Sequence, residues 1–295
     1  MTTLRNTSMQ NSPYTSEELA WLIRRDCIEM THKSHASHIG SDLSCADMLA
    51  VLYNEVLRID SNNPDWSDRD YFLMGKGHAS AALYSCLANV GFYSRARLET
   101  FYQDGSCMSG HVTKHGNPGI ELSTGSLGHA LGVGVGLAYA FQKDKRPNRV
   151  FVLMGDGECQ EGSVYEAMSE AARDGLSNLV VLVDRNFQQG LGDSGDIMPS
   201  NAIEKRFLAF SWETHVIKGH DFRALRNSMS LEHKKPLCIV CDTIKGYPIS
   251  FMMNQMLWHY RFPHEGNEYE GARRELLAYK PEELKNPYAE EDANL

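Results

Sequence analysis

The sequence predicts an α/β protein built around a doubly wound parallel sheet. Two apolar runs rich in β-branched residues, 149–154 and 178–183, are joined by a segment with helical periodicity. A strand, a helix and a second strand in this order run parallel, so the loops that follow the two strands meet at one edge of the sheet. Strand-like and helical runs alternate over much of the chain, which is typical of a sheet covered by helices.

The other elements follow from the spacing of apolar residues along the chain. Residues 1–12 are polar and are expected to form a loose tail, 13–265 a single α/β domain, and 266–295 a C-terminal helix with an acidic tail. We predict helices over 19–30, 45–56, 79–90, 127–142, 161–174 and 221–230, and strands over 71–74, 149–154, 178–184, 213–217 and 237–242.

The helix predicted over 127–142 contains four glycines, each of which costs about 1 kcal/mol relative to alanine in a helix. Close packing against another backbone would compensate for this cost. We therefore expect a small-residue surface formed by Gly132, Gly134 and Gly136 to contact another helix or a second subunit.

Composition excludes several classes of protein. The net charge of −9 offers no general basic field for nucleic acid. No apolar run reaches the roughly 20 residues of a membrane span, and the first residues lack the apolar stretch of a secretory signal. The seven cysteines are an odd number, scattered through apolar segments, and favour reduced thiols. We expect a cytoplasmic protein without nucleic-acid or membrane partners.

Two polar residues follow neighbouring strands of the predicted sheet. Asp156 lies between Gly155 and Gly157 after the first strand, and Asn186 follows the second. Both side chains should meet at the carboxyl edge, where Mg²⁺ prefers their oxygens and the glycines let backbone approach a diphosphate. Gly-Asp-Gly alone is a common turn sequence, but a turn does not require Asn186 at the next strand end.

The segment Gly155-Asp-Gly-Glu-Cys-Gln-Glu-Gly162 through Val183-Asp-Arg-Asn186 resembles the thiamine diphosphate motif of the transketolases. The resemblance runs from about Leu19 to Pro263 and implies the thiamine diphosphate-binding fold. Other segments resemble transketolase motifs in the family's order: His38-Ile-Gly40, Gly75-Lys-Gly-His-Ala79, Gly110-His111, Ser123-Thr-Gly-Ser-Leu-Gly128 and Trp258-His259.

The resemblance implies a metal and diphosphate site with defined residues. Asp156, Asn186 and the backbone carbonyl of Gln188 would bind Mg²⁺, together with the diphosphate of thiamine diphosphate and a water. Gly157 would donate its N–H to the phosphate, and Gly155 would let the backbone approach it.

Four of the twelve histidines stand in transketolase-like motifs. Imidazole suits proton transfer near neutral pH. By resemblance His78 and His259 lie near the diphosphate, His111 contacts the donor's hydroxyl groups, and His38 and His259 handle protons on the sugar oxygens. Singly, each would more often be a surface or capping histidine. Six further histidines are given no role in the site: His32, His35, His215, His220, His233 and His264.

Further roles are implied by resemblance, each with a structural alternative. Leu127 and Ile244 match apolar positions against the cofactor rings, and Gly125 one whose backbone touches the aminopyrimidine; all three could instead be core or turn residues. Glu161 resembles a carboxylate in a relay between active sites, or it stabilises a helix N-terminus.

We expect the pyrimidine-binding domain, which carries the cofactor-activating glutamate of transketolases, to come from another polypeptide. The resemblance therefore implies the N-terminal subunit of a split transketolase, which transfers a two-carbon ketol unit from a ketose (phosphate) to an aldose together with a separately encoded C-terminal subunit. We expect a dimer of heterodimers, because the cofactor must contact both polypeptides and two-fold assemblies are common.

Three alternatives remain open. The first is a carboligase that adds a two-carbon or acyl unit to an unusual, oxidised or activated sugar, since Val112-Thr113 and His129 depart from the usual pattern near the substrate end. The second is a non-catalytic binding module. The third, a nicotinamide-dependent enzyme, is disfavoured because no Gly-x-Gly-x-x-Gly follows a strand.

Overall fold

The computed structural model describes residues 11–198, 202–293 and 295. Most of the tail predicted over 1–12 lies outside these residues. The centre of the described part is a parallel sheet of five strands in the order β1-β2-β3-β7-β6, so the predicted fold class is confirmed. A short antiparallel hairpin, β4 and β5, follows β3. The strands are β1 (Tyr71–Met74), β2 (Val150–Gly155), β3 (Leu179–Arg185), β4 (Gln188–Gln189), β5 (Gly192–Asp193), β6 (Glu213–Lys218) and β7 (Leu237–Asp242).

Helices cover both faces of the sheet. Alternate side chains of β2 face opposite cores: Val150, Val152 and Met154 pack with α4, α5 and α7, whereas Phe151 and Leu153 pack with α1, α2 and α3. The helices are α1 (Ser16–Ser34), α2 (Ile39–Val51), α3 (Ser80–Val90), α4 (His129–Lys143), α5 (Gly162–Arg173), α6 (Ser194–Ile197), α7 (Ile203–Ala209), α8 (Phe222–Met229), α9 (Leu257–Tyr260), α10 (Asn267–Leu277) and α11 (Ala289–Asp292).

Helix α1 begins three residues before its predicted start because a capping box fixes its first turn. The Thr15 hydroxyl accepts the Glu18 N–H at 3.2 Å, and the Glu18 carboxylate accepts the Thr15 N–H at 2.7 Å. Two N–H groups that would otherwise lack partners are thereby satisfied. Helix α2 continues as one π-helical turn over Leu52–Val56, within the helix predicted to end at 56.

The glycines of α4 face two directions, which corrects one prediction. A Cβ on Gly134 would lie 2.7 Å from Val152, so this glycine packs α4 against the sheet rather than forming part of an outer surface. Gly132 and Gly136 are exposed, and among the described residues nothing outside α4 lies within 4 Å of a Cβ position at either glycine. The open small-residue face of α4 therefore consists of Gly132 and Gly136 without Gly134.

Two further sequence expectations concern cysteines and membranes. All seven cysteines are free thiols, and Cys238 and Cys241 face opposite cores as their strand spacing predicts. Among the helices of the described residues, none combines the length and apolar character needed to cross a membrane.

Candidate active site

The loops after β1, β2, β3 and β7 enclose a cavity of about 300 Å³ at the carboxyl edge of the sheet. This is the edge where parallel α/β sheets bind ligands. Ile244 does not line the cavity; it precedes Lys245, which does. The predicted site residues that line it are His38, His78, His111, Gly125, Leu127, Gly155, Asp156, Gly157, Glu161, Asn186, Gln188 and His259.

Four histidines from separate parts of the chain meet in this cavity. The ring centroid of His38 lies 5.3 Å from that of His78, 5.7 Å from His111 and 5.0 Å from His259. His38 has a left-handed backbone with φ of 78°, and its N–H donates to the His259 carbonyl at 3.1 Å. Strained backbone of this kind is concentrated at functional sites.

The buried imidazoles favour their neutral forms. Burial, with the charges of His111 and Lys245, lowers the pKa of His38 to about 4. Burial, with the nearby Lys245, lowers the pKa of His259 to about 3, and burial lowers the pKa of His78 well below its usual value. A neutral imidazole offers one N–H that donates a hydrogen bond and one nitrogen that accepts one.

Asp156 directly follows β2 and lines the same cavity as the histidines. It is 2% exposed, and its carboxylate accepts the Gly157 N–H at 2.8 Å and the Ser194 hydroxyl at 2.9 Å. Burial raises the pKa of Asp156 to about 6, and the nearby Asp184 contributes. A cation at this carboxylate would offset the cost of keeping it ionised.

Asn186 and Gln188 are the other two residues predicted to bind the metal. Asn186 follows β3, whose register pairs Asp184 with Gly155, so the two loops lie side by side. The Asn186 side-chain oxygen accepts the Gln188 N–H at 3.1 Å, and the buried side-chain oxygen of Gln188 has no partner. An oxygen-only set of carboxylate, amide and carbonyl groups fits Mg²⁺.

Sequence reasoning missed two lysines that line the cavity. Lys76 is fully buried and forms an ion pair with Asp184; although burial opposes ionisation, Asp184 raises the pKa of Lys76. Lys245 lies 2.9 Å from Nδ1 of His259, and burial, followed by the charge of Lys76, lowers the pKa of Lys245 to about 8. Lys76 belongs to the motif Gly75 to Ala79, and this motif is the sequence feature from which the lysine could have been predicted.

Sequence reasoning also missed Glu158, which joins three glycine loops around the cavity. Its carboxylate accepts the Gly128 N–H at 3.0 Å and the Gly155 N–H at 3.2 Å. A Cβ on Gly75 would lie 2.4 Å from the same carboxylate, so a side chain at this position would displace Glu158. Burial raises the pKa of Glu158 to about 7.

Comparisons with known proteins place this site in a family. Residues 15–283 match the family model of the transketolase thiamine diphosphate binding domain. The chain is 40% identical over 256 residues to an apulose-4-phosphate transketolase subunit of Phocaeicola vulgatus, covering 86% of this chain and 90% of that protein. It is 34% identical over 241 residues to the 6-deoxy-6-sulfo-D-fructose transketolase subunit SqwG of a Clostridium species, covering 81% and 88%.

Among solved structures, the transketolase of Campylobacter jejuni superposes with a TM-score of 0.82 at 30% identity, covering 89% of this chain and 42% of that one. The chain therefore spans less than half the length of that transketolase, whereas it spans most of the two subunits above. The fold and the site define a thiamine diphosphate-binding α/β domain. The chain belongs to the transketolase family and is a transferase subunit of the N-terminal, thiamine diphosphate-binding kind.

Proposed function

We propose that this chain is the diphosphate-binding subunit of a split transketolase that moves a two-carbon ketol unit from a ketose to an aldose. The observation that supports the proposal most is the convergence of His38, His78 and His259, with ring centroids 5.0–5.7 Å apart, on a cavity that also contains Asp156 and Asn186. Proton-transfer groups and oxygen ligands for a metal share one concave site.

The residues present fit thiamine diphosphate and Mg²⁺. The backbone of Gly155 faces open space, since no atom lies within 4 Å of a Cβ position, and Lys245 supplies positive charge for an anionic diphosphate. Asp156, Asn186 and the Gln188 carbonyl would bind Mg²⁺, and Leu127 offers an apolar contact for a ring. When bound, thiamine diphosphate would supply a ring carbon that becomes a nucleophile after it loses its proton, and a cationic ring that can take up the electrons of a broken carbon–carbon bond.

The histidines would act on the sugar oxygens. The neutral imidazoles of His38 and His259 can take a proton from a hydroxyl and return one to a carbonyl oxygen. His111 lies at the cavity on the exposed side of the cluster, so it suits the donor's hydroxyl groups. His78, whose pKa burial lowers well below its usual value, suits the diphosphate end. Glu161 is exposed on the cavity rim, where a second subunit could reach it.

The substrates we propose are a ketose donor with an anionic terminal group and an aldose acceptor. The two similar subunits carry names that refer to apulose-4-phosphate and 6-deoxy-6-sulfo-D-fructose. Both sugars bear an anion at the end remote from the carbon atoms that are transferred. A panel of ketose phosphates and sulfonates therefore forms the first substrate screen.

We also propose a separately encoded C-terminal subunit as the partner, because the similar proteins are named as subunits. We place the complex in the cytoplasm, where the seven free thiols would stay reduced.

The partner requirement is the test of the proposed function. The purified chain, supplied with Mg²⁺ and thiamine diphosphate, should turn over no ketose and aldose pair. Addition of the product of the neighbouring open reading frame should restore transfer. Omission of thiamine diphosphate from the complex is the control. Equal turnover with and without the second polypeptide would refute the split-subunit proposal.

We propose that two heterodimers pair through the open face of α4. Gly136→Leu places a large side chain on this face, where the described residues outside α4 put no atom within 4 Å of the Cβ position, so the subunit should fold normally and the tetramer should dissociate. Light scattering of the reconstituted complex measures this. Gly195→Leu, at another glycine with an open Cβ position, is the matched control. An intact tetramer in Gly136→Leu would locate the interface elsewhere.

A further inference from the structure

His220 lies outside the cavity, but its side chain contacts both helix α2 and the loop after β7. It lies in the turn between β6 and α8. Its Nδ1 is 2.7 Å from a carboxylate oxygen of Asp47, and its Nε2 is 2.9 Å from the backbone nitrogen of Ile244. A backbone N–H can only donate, so Nε2 accepts and Nδ1–H donates to Asp47. The two contacts define the tautomer of the ring.

Asp47 is itself held by Arg24. The two groups form a bidentate ion pair with distances of 2.6 and 2.7 Å, and their side chains are 1% and 6% exposed. Burial opposes ionisation of the Asp47 carboxyl, but Arg24 and His220 lower its pKa below the usual value. The acceptor that orients His220 is therefore a fixed carboxylate.

The same imidazole contacts the β7 loop at a second point. Its ring stacks on Tyr247 with a centroid distance of 4.1 Å and an interplanar angle of 24°. Arg24 donates to the Tyr247 carbonyl at 3.1 Å. Ile244 and Tyr247 flank Lys245, so the loop is held on both sides of this lysine.

Lys245 projects from the held segment into the cavity. Its Nζ is 2.9 Å from Nδ1 of His259, and its aliphatic chain packs on Gly40, where a Cβ would lie 3.1 Å from Lys245 Cγ. A shift of the backbone at Ile244 would therefore move the lysine relative to His259. Arg24 thus contacts Asp47, Asp47 contacts His220, and His220 contacts the backbone of Ile244. Ile244 directly precedes Lys245, which lines the cavity.

We propose that His220, oriented by Asp47 and Arg24, is a positioning residue that holds the Ile244–Tyr247 segment so that Lys245 meets His259 in the cofactor cavity. This inference rests on the proposed function, because Lys245 is taken to face the diphosphate. His220 touches neither substrate nor cofactor, and it acts through the backbone of Ile244. A histidine that only fills space would stabilise the fold without fixing the position of Lys245.

Two substitutions separate these roles. His220→Phe keeps a flat ring against Tyr247 and removes both hydrogen bonds. His220→Gln can donate to Asp47 and accept from Ile244 through its amide, so it should restore what phenylalanine loses. His215→Phe is the matched control, because His215 is a histidine of β6 with a side chain 40% exposed that contacts Glu213.

The measurements use the full chain with Mg²⁺, alone and in complex with its partner subunit. Hydrogen exchange of the Ile244 amide reports the bond to His220 directly and does not require the cofactor. Nitrogen-15 shifts of the imidazoles report the Nδ1–H tautomer of His220 and the contact of His259 with Lys245. Titration calorimetry gives the affinity for thiamine diphosphate.

In His220→Phe we expect hydrogen exchange of the Ile244 amide to become at least tenfold faster. The His259 resonances should shift. The affinity for thiamine diphosphate should fall about tenfold, the equivalent of about 1.4 kcal/mol. His220→Gln should recover most of each loss, and His215→Phe should change none. A His220→Phe protein that binds thiamine diphosphate like the wild type, with unshifted His259, overturns the proposal. A wild-type protein that binds no thiamine diphosphate refutes the proposed function instead, and the two failures are thus distinguished.

Discussion

Asp156→Asn is expected to lower the affinity for thiamine diphosphate in the presence of Mg²⁺ by more than a thousandfold. The substitution keeps the shape of the side chain and removes the charge that we assign to the metal. Loss of a residue that only supports a metal ligand typically costs ten- to a hundredfold, so loss of a charged ligand should cost more. Titration calorimetry with and without Mg²⁺ measures the effect.

The control is Asp193→Asn, which neutralises an exposed carboxylate on the hairpin that follows β3. It should bind the cofactor like the wild type. Asp156→Asn with wild-type affinity would remove Asp156 from the metal site.

The same substitution should stabilise the chain without cofactor. Burial raises the pKa of Asp156 from an ordinary value of 3.8 to about 6. A carboxyl group with a raised pKa in the folded state favours folding while it is protonated, so this stability is lost as the pH rises from about 4 to about 6. Asparagine does not ionise, so the variant does not lose this stability at neutral pH. The amide that Asp156→Asn introduces can still accept from Gly157 and donate to Ser194, so the melting temperature should rise by roughly 2 °C or more.

Most of the sheet could be predicted from the sequence because its strands are continuous apolar runs. The predicted strand at 71–74 coincides with β1, and β2 and β3 begin one residue after their predicted starts. Helix α2 was predicted to begin at 45 but begins at Ile39. Its N-cap, His38, adopts a left-handed backbone without a side-chain capping bond, so no local signal marks this start.

Site residues could be predicted where they belong to a local sequence motif. Contacts between side chains from distant parts of the chain could not be predicted. The four motif histidines and Asp156 line one cavity as their motifs imply. The ion pair of Lys76 with Asp184 joins residues 108 positions apart, and its formation depends on the strand order β1-β2-β3. The role proposed for His220 likewise depends on its contact with Asp47 of α2, a residue 173 positions away in the sequence.

Lys245→Met is expected to weaken thiamine diphosphate binding about a hundredfold and to raise the pKa of His259. Methionine is an unbranched side chain one atom shorter than lysine, and it removes the charge that lies 2.9 Å from His259. Burial, followed by the charges of Lys245, His38 and Lys76, lowers the pKa of His259 to about 3, so removal of Lys245 takes away the largest of the charges that oppose protonation. The pKa of His259 should rise by about one unit or more, which an NMR titration of its imidazole would show.

The direction of the accompanying change in stability follows from the difference between the pKa of His259 in the folded protein and its ordinary value. A histidine with a lowered pKa in the folded state contributes stability above its ordinary value of 6.5, and this stability is lost as the pH falls toward about 3. In Lys245→Met the pKa of folded His259 lies closer to 6.5, so less stability should be lost on acidification than in the wild type. Melting temperatures recorded from neutral pH to about pH 4 test this, with Lys218→Met, at an exposed lysine of β6, as the control. An unchanged His259 titration in Lys245→Met would contradict the assignment of this lysine as the charge that keeps His259 neutral.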